Sequence, residues 1–388
     1  MFADRITHLE AEGAYAVLNR ALELERQGRE ILHLELGQPD FRTPEHVAKA
    51  GVAAIEEGLT RYTPPAGLMR FRELIAEDAG KRRGVKITPD MVVVGPGSKP
   101  GLFFPTLALV SSGDEVIYPD PGFPTYHAMI RVAGGIPVPV TLREENQFSF
   151  DLDVFDSKIS NKTKLIILNS PANPTGGVIP LDDLKHIAAQ AQKYNAWILG
   201  DEIYSRLVYD GMTSAPSIAS IDRMLERTII ADGFSKAYAM TGWRMGYMVA
   251  PPALAERLEL LITHSVGCTA MFTQYAGMEA ITGPQDFVHE MVAEYQKRRD
   301  RMVELVNAIP GVHAQTPQGA FYIFPNIKSF GLSSAEIQRR LLEEEGVAVL
   351  AGTDFGPAGD GYIRLCYATS MNVIERAFEK MTQFFISL

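Results

Sequence analysis

The sequence predicts an α/β protein whose large domain contains a mostly parallel, seven-stranded sheet flanked by helices. Two observations support this prediction. Between residues 91 and 251, short runs of Val, Ile and Leu alternate with longer amphipathic stretches, which is typical of a parallel sheet covered on both faces. After Pro252, long helical patterns are followed by several short apolar runs. This second region predicts a smaller α/β unit.

The N-terminal segment predicts a helix, a strand and a second helix. Apolar residues recur at helical spacing over residues 12–27, and Gly28 follows as a C-cap. The strand at residues 31–37 ends at Gly37, which lets a backbone amide approach a ligand closely. Thr43, as a capping residue before Pro44 at the first helical position, predicts the start of the next helix.

Seven short apolar runs are predicted as the strands of the large sheet. Their sequences are MVVVG, DEVIYPD, IPVPV, KLIILNSP, AWILGDE, RTIIAD and GYMVAP. Ligands of parallel α/β sheets bind beyond the carboxyl ends of the strands, so side chains that follow these runs are expected to gather at one edge. They are Gly97, Ser98, Lys99, Phe123, Asn173, Asp201, Tyr204 and Lys236.

The region after Pro252 predicts helices separated by short strands. Helical patterns cover residues 253–265, 270–282, 285–308, 333–345 and 371–386. The strand-like runs are VHAQT, AFYIF, VAVLAG and YIRLCYA.

Composition and charge exclude several classes of protein. The 388 residues are 46% hydrophobic and 22% charged, which predicts a soluble globular protein of two domains. An excess of 47 acidic over 37 basic residues argues against a nucleic-acid partner. No apolar run approaches the roughly 18 residues of a membrane span, and the N-terminus has no signal-like segment. Cys268 and Cys366 lack metal-binding spacing, so we expect a cytoplasmic protein with no metal and no membrane partner.

One stretch, Thr228–Tyr247, contains a lysine suited to covalent chemistry. Lys236 follows an apolar run in a turn of small and aromatic residues, and Arg244 comes eight positions later. Partial desolvation lowers the pKa of a lysine and favours imine formation with a carbonyl cofactor. The alternative is an ordinary pair of basic surface residues.

Two further motifs follow buried strands. In NSPANPTGG, two prolines and two glycines define a turn from which Asn173 projects, although a plain turn is the alternative. Asp201 directly follows the apolar run WILG, and a buried carboxylate needs a positively charged partner. That partner is either a protonated pyridine nitrogen or a structural arginine.

Two motifs suit anionic ligands. Gly97-Ser98-Lys99 follows a strand and opens a helix, where backbone amides and the helix dipole favour phosphate. A helix cap without a ligand explains the same motif. Arg364, in an apolar strand, suits bidentate binding of a carboxylate, or is a surface residue.

Together these motifs resemble a known family. NPTG, a strand-end Asp-x-x-Tyr, FSKAYAMTGWRMGY and RLCYATS, in this order, resemble the fold-type I pyridoxal-phosphate aminotransferases of class I/II, most closely the bacterial aspartate-aminotransferase-like branch. The resemblance extends from LELGQPDF to RLCYATS. It implies an N-terminal segment, 1–44, that joins the small domain, a large cofactor-binding domain, 45–285, and a small C-terminal domain, 286–388.

The resemblance also implies how pyridoxal 5'-phosphate is held. Lys236 would form a Schiff base with it and move the substrate proton, and Asp201 would keep the pyridine nitrogen protonated. Asn173 and Tyr204 would hydrogen-bond to the 3' oxygen. The phosphate would be bound by Arg244, Ser235 and the amides of Gly97, Ser98 and Lys99, and Phe123 would stack on the ring.

The remaining implied residues concern substrate and assembly. Arg364, helped by Asn173 and the Gly37 backbone, would bind the substrate α-carboxylate, and Tyr15 would close the pocket. Tyr62 would reach the phosphate of the neighbouring subunit, so the implied assembly is a homodimer with a composite active site.

The implied reaction is ping-pong transamination between an L-amino acid and a 2-oxo acid. A lyase or a cyclopropane-forming synthase on the same fold is the alternative, and a regulator with an aminotransferase-like domain is a further one. Gly233 stands where many relatives carry a phosphate-binding serine, which predicts weaker phosphate binding. Met271, Phe272, Tyr15 and Phe123 permit neutral or aromatic side chains, and a dicarboxylate remains open.

Overall fold

The computed structural model describes residues 3–7, 9 and 12–388, which form helices packed around three sheets. The helices are α1 (Asp4–Thr7), α2 (Gly13–Arg26), α3 (Glu45–Glu56), α4 (Met69–Arg83), α5 (Lys99–Leu109), α6 (Thr125–Val132), α7 (Leu152–Lys158), α8 (Leu181–Lys193), α9 (Pro252–Ser265), α10 (Met271–Thr282), α11 (Asp286–Asn307), α12 (Ser334–Arg340) and α13 (Met371–Ile386). None of the helices in these residues is both long and apolar enough to cross a membrane.

The strands form one large and two small sheets. They are β1 (Leu32–His33), β2 (Val92–Gly95), β3 (Glu115–Asp120), β4 (Ile136–Thr141), β5 (Thr163–Asn169), β6 (Trp197–Asp201), β7 (Thr228–Gly233), β8 (Gly246–Val249), β9 (Tyr322–Ile323), β10 (Val347–Ala348), β11 (Leu350–Ala351) and β12 (Ile363–Cys366). The large sheet has the order β2-β8-β7-β6-β5-β3-β4. Only β8 is antiparallel to its neighbours, so the predicted seven-stranded, mostly parallel sheet is confirmed.

Both faces of the large sheet are buried, as its continuous apolar strands predicted. Alternate residues of β5 belong to different hydrophobic clusters: Leu165 and Ile167 pack on one side, Ile166 and Leu168 on the other. The side with Leu165 and Ile167 meets α5, α6 and α9. Since side chains of a strand alternate between faces, helices cover both faces and leave the strand ends as the open edge.

The N- and C-terminal parts of the chain build the smaller unit together, as predicted. Leu32 in β1 pairs in parallel with Val347 in β10. A second small sheet has the antiparallel order β11-β12-β9. The domain boundaries after residues 44 and 285 stay a prediction.

Local structure differs from the predictions in several places, and the strand predicted over residues 31–37 is limited to Leu32–His33. Thr43 does not cap α3, because its Oγ1 donates to the Ala239 carbonyl 2.9 Å away and accepts from Trp243. The predicted strand VHAQT is reduced to a single bridge between His313 and Asn326. The helix predicted over 333–345 changes to a π-helical turn after Arg340.

A buried ionic network ties α4 to the ends of β6 and β7. Arg83 lies 2.7 Å from the Glu202 carboxylate and 3.0 Å from that of Asp232. Arg82 also donates to Asp232, at 3.0 Å, and Tyr247 does so at 2.9 Å. The Arg83 side chain is only 2% exposed. The positive charge of Arg83 is therefore neutralised by buried carboxylates and not by solvent.

Replacing Arg83 by Met is expected to lower the free energy of unfolding by about 3 kcal/mol, because Glu202 loses its buried counter-ion. Urea denaturation at neutral pH measures the change. Arg70→Met on the same helix is the matched control, since Arg70 pairs only with exposed Glu73 and should change stability by less than about 1 kcal/mol. Equal effects of the two substitutions would show that the network contributes no particular stability.

Candidate functional site

A cavity of about 620 Å³ opens at the carboxyl edge of the large sheet and collects most of the predicted site residues. It lies where β5, β6 and β7 end and where the smaller unit packs against them. The predicted residues that line it are Tyr15, Gly37, Ser98, Lys99, Phe123, Asn173, Asp201, Tyr204, Ser235, Lys236, Arg244 and Arg364.

Lys236 enters this cavity from the turn that follows β7. Its Nζ donates to the Gly37 carbonyl at 2.6 Å, and lies 5.5 Å from the centre of the Phe321 ring and 5.7 Å from that of Tyr204. Desolvation by these surroundings lowers the pKa of Lys236 to about 8. A substantial share of the amine is therefore neutral near pH 8 and able to act as a nucleophile. The alternative of an ordinary pair of basic surface residues is therefore wrong for Lys236, whereas Arg244 is exposed.

Asp201 is the last residue of β6, the central strand of the sheet. Its Oδ2 accepts a hydrogen bond of 2.7 Å from Tyr126. Burial raises the pKa of Asp201 to about 6, and the Tyr126 hydrogen bond opposes that rise. In residues 3–7, 9 and 12–388 no basic side chain forms an ion pair with it, so the structural arginine that we considered is not found.

Arg364, on β12, is buried and faces the cavity. Its Nη1 donates to Asn173 Oδ1 at 3.0 Å, and its Nη2 donates to the Glu35 carbonyl. The guanidinium lies 4.4 Å from the centre of the Tyr322 ring. Within the described part of the chain, Nε has no hydrogen-bond partner, and the guanidinium forms no ion pair, although its charge opposes the rise that burial causes in the pKa of the Asp354 carboxyl. A buried cation with a free donor suits an anionic ligand, and the alternative of a surface arginine is wrong.

Asn173 is held by the turn that follows β5. Its backbone N–H donates to Asn169 Oδ1 at 2.8 Å, and Asn169 Nδ2 donates to the Asp201 carbonyl at 3.1 Å. Asn169 and Asp201 are partners in the β5–β6 pairing. The alternative of a plain turn does not account for these links, which connect Asn173 to Asp201 and Arg364.

Gly97 and Arg244 lie together at the edge of the cavity. Arg244 has a positive φ of 52° and donates to the carbonyls of Thr241 (2.9 Å) and Pro96 (3.2 Å). Gly97 has a φ of +89°, and a Cβ there would lie 2.5 Å from Arg244 Nη2. The left-handed φ favours glycine here, and the absence of a side chain leaves room for the guanidinium.

Gly37 is required for a different reason. A Cβ at this position would lie 1.9 Å from Tyr322 Oη. That hydroxyl shares a 2.8 Å hydrogen bond with the hydroxyl of Tyr204. Because Gly37 has no side chain, the hydroxyls of Tyr204 and Tyr322 and the Lys236 amine can all lie close to its backbone.

The sequence reasoning missed several residues of the site. Tyr126, Asn169 and Tyr322 make the contacts described above, and Thr241 also lines the cavity. Tyr126 lies three positions after Phe123, and Asn169 lies inside the quoted motif NSPANPTGG, so their proximity to Phe123 and Asn173 was an available signal. Tyr322 carries no such signal, because only the packing of β9 beside β12 brings it to the site.

Other predicted residues do not line this cavity. The side chain of Tyr62 is 94% exposed, and Met271 and Phe272 lie on α10, away from the cavity lining. Gly233 lies within β7 opposite Gly246, and a Cβ there would be 2.9 Å from the Gly246 Cα. The glycine is therefore explained by close strand packing. A serine at this position would first need the backbone to move.

The charged side chains of the cavity indicate which reactions and ligands it suits. Lys236 supplies a nucleophilic amine, Asp201 a buried acid, and Arg244 and Arg364 two separate cations. In the described residues, no group of three or more His, Cys, Asp or Glu side chains is arranged to hold a metal ion. The arrangement suits an anionic ligand with a carbonyl group and a basic ring nitrogen.

Comparison with known proteins agrees with this chemistry. A profile of the family "Aminotransferase class I and II" matches residues 29–381. Aspartate aminotransferase of Pyrococcus horikoshii is 39% identical over 386 residues, 97% of each chain. Aromatic-amino-acid aminotransferase 2 of Thermococcus litoralis is also 39% identical, over 90% of each chain.

A solved structure has the same fold over nearly the whole chain. Aspartate aminotransferase from Thermus thermophilus with maleate is 36% identical and superimposes with a TM-score of 0.93. The match covers 99% of both chains.

Asp201→Asn is expected to stabilise the ligand-free protein at pH 8 by up to about 3 kcal/mol. The carboxyl pKa is about 6 in the fold against an ordinary 3.8, and each unit of difference corresponds to about 1.4 kcal/mol. The folded state therefore disfavours the ionised form. The free-energy cost of the ionised Asp201 carboxylate is fully present above pH 6 and decreases as the pH falls toward 3.8. The stability gained by Asp201→Asn should therefore decrease between pH 6.5 and 5.

Urea denaturation at several pH values measures this gain. Asp90→Asn, at an exposed position, is the matched control and should change the free energy of unfolding by less than about 0.5 kcal/mol at each pH. Destabilisation by Asp201→Asn at pH 8 would contradict the expectation.

Proposed function

The chain belongs to the class I and II aminotransferases, which are pyridoxal-phosphate-dependent enzymes, and we propose that it transfers amino groups in the cavity around Lys236. One observation carries this proposal. An amine with a lowered pKa and a buried carboxylate without a basic partner face the same cavity. The substrates are an L-amino acid and a 2-oxo acid.

The residues present fit pyridoxal 5'-phosphate. Asp201 lacks the cationic partner that a buried carboxylate needs, and a protonated pyridine nitrogen supplies one. Arg244, Ser98 and Ser235 line the cavity and suit a phosphate, with the amides of Gly97, Ser98 and Lys99 at the start of α5. Phe123 also lines the cavity and offers an aromatic face to the ring.

When bound, the cofactor supplies a reactive carbonyl group and a ring that withdraws electrons from the substrate Cα. Lys236 has two tasks in this proposal. Its neutral amine would hold the cofactor, and, once free, it would take the proton from Cα of the amino acid and deliver it to the former carbonyl carbon of the cofactor, with the reverse movement for the oxo acid. A pKa near 8 suits both directions of this transfer. Tyr204 and Asn173 would position the ring oxygen by hydrogen bonds.

Arg364 would bind the α-carboxylate of either substrate. Asn173 and the Glu35 carbonyl already orient its guanidinium, and its Nε is free to donate. The rings of Tyr322 and Phe355, with centres 4.4 and 5.0 Å away, restrict its movement. This fixed orientation would hold Cα within reach of Lys236.

We further propose a cytoplasmic homodimer with a composite site. Tyr62 lies in the exposed loop between α3 and α4 and is absent from the cavity lining of its own chain. A tyrosine that is 94% exposed is free to contact another subunit, and we assign it to the partner's phosphate. Cys268 and Cys366 are both free thiols, in keeping with a reducing compartment.

No observation favours the lyase or synthase alternative, since the relatives described above are named aminotransferases.

Half-reactions of the purified holoenzyme test the proposed function. Amino acids added singly should remove the visible absorbance of the lysine-bound cofactor, and 2-oxoglutarate should restore it. Lys236→Ala should abolish both the absorbance and turnover, whereas the exposed control Lys185→Ala should leave them unchanged. Ammonia release without an equivalent of amino product would contradict transamination. So would full turnover by Lys236→Ala.

Subunit mixing tests the composite site. Tyr62→Ala alone should weaken cofactor retention about tenfold, because one hydrogen bond to the phosphate is lost. Mixing this variant with inactive Lys236→Ala and allowing subunits to exchange should restore up to about one quarter of wild-type turnover, since half of the dimers gain one complete site. No recovery after proven exchange would place Tyr62 outside the partner's site.

A further inference from the structure

Of the residues that the structure describes, six with charged side chains line the cavity, and the proposed function uses four of them. Lys236, Asp201, Arg244 and Arg364 serve the cofactor and the α-carboxylate, as described above. Glu12 and Lys99 remain. The backbone amide of Lys99 is assigned to the phosphate, but its ammonium group has no assigned ligand. This second pair therefore faces the same space as the substrate without a role.

Glu12 and Lys99 bind each other across the mouth of the cavity. Lys99 Nζ donates to Glu12 Oε1, and Thr125 Oγ1 lies 3.4 Å from the same oxygen as a second donor. Lys99 Nζ also lies 5.3 Å from the centre of the Phe123 ring. The Glu12 side chain is 25% exposed and that of Lys99 49%. The pair is accessible enough for a ligand to compete with it.

The direction of the Glu12 side chain supports a role in the cavity. Glu12 is the N-cap residue of α2, yet its side chain makes no capping hydrogen bond. A carboxylate near a helix N-terminus is favoured by the positive end of the helix dipole. Here the carboxylate turns to Lys99 instead.

We propose that Glu12 determines side-chain specificity by occupying Lys99, which disfavours dicarboxylic amino acids relative to neutral and aromatic ones. This inference rests on the proposed function of the cavity. A second substrate carboxylate would find the ammonium of Lys99 already paired and would meet the like charge of Glu12. Neutral side chains avoid this competition and contact Leu36, Tyr15 and Phe123, which also line the cavity.

The specificity ratio of Glu12→Gln tests this proposal. The ratio is kcat/KM for L-aspartate divided by kcat/KM for L-phenylalanine, with the same oxo acid as acceptor. Glu12→Gln keeps the size of the side chain and frees Lys99, so the ratio should rise about three- to fivefold, as for a partly exposed ion pair. Glu12→Ala should change it in the same direction.

Two further variants show whether the rise depends on Lys99. Glu23→Gln removes one negative charge from α2 outside the cavity, where Glu23 pairs with Arg20, and should leave the ratio unchanged. In the double variant Glu12→Gln, Lys99→Met, the rise in the specificity ratio should disappear. An unchanged ratio in both Glu12 variants, an equal rise in Glu23→Gln, or a rise that persists without Lys99 would overturn the proposal.

Failure of the inference is distinguishable from failure of the proposed function. If the wild-type holoenzyme converts no amino acid, the function assigned to the cavity is wrong. If it converts amino acids and the Glu12 variants leave the ratio unchanged, only the role of Glu12 is wrong.

Discussion

Asp201 lies at the end of the central strand β6 with its carboxylate buried, where it accepts hydrogen bonds from the Tyr126 hydroxyl at 2.7 Å and from the Ile203 backbone N–H at 3.4 Å. Placing a charge there costs free energy, which shows as a pKa raised to about 6. A ligand with a positively charged ring nitrogen removes that cost. The protein thus keeps a carboxylate in its core at a cost in stability. The proposed cofactor would offset this cost by supplying a positive charge.

The surrounding framework holds two further carboxylates close to Asp201, and their negative charges add to the rise of its pKa. Arg83, Arg82, Glu202 and Asp232 form a buried network that joins α4 to the strand ends beside Asp201. The carboxylates of Glu202 and Asp232 are neutralised by arginines, so they do not compete for the ligand. Asp201 has no arginine partner among the described residues and stays available to the ligand. Glu202 and Asp232 thus have a structural role, whereas Asp201 is the carboxylate proposed to act in catalysis.

Segments distant in sequence complete the cavity from the other side. Gly37 and Arg364 come from opposite ends of the chain, and the β1–β10 pairing holds those ends together. The Gly37 carbonyl accepts from Lys236, and the Glu35 carbonyl accepts from Arg364. The same short segment thus contacts both the lysine and the arginine. A movement of the smaller unit would change the position of the α-carboxylate relative to the amine.

The sequence alone determined the fold class and the principal residues of the site, because strand periodicity and the residues directly after each strand are local properties. Lys236, Asp201 and Asn173 were predicted in this way, and Arg364 was predicted from its place within an apolar strand and from the family resemblance. Only the tertiary structure decided their partners. Tyr126 reaches Asp201 across 75 positions, Tyr322 reaches Tyr204 across 118, and Glu12 reaches Lys99 across 87. Such contacts depend on how separate elements pack, and no local pattern encodes them.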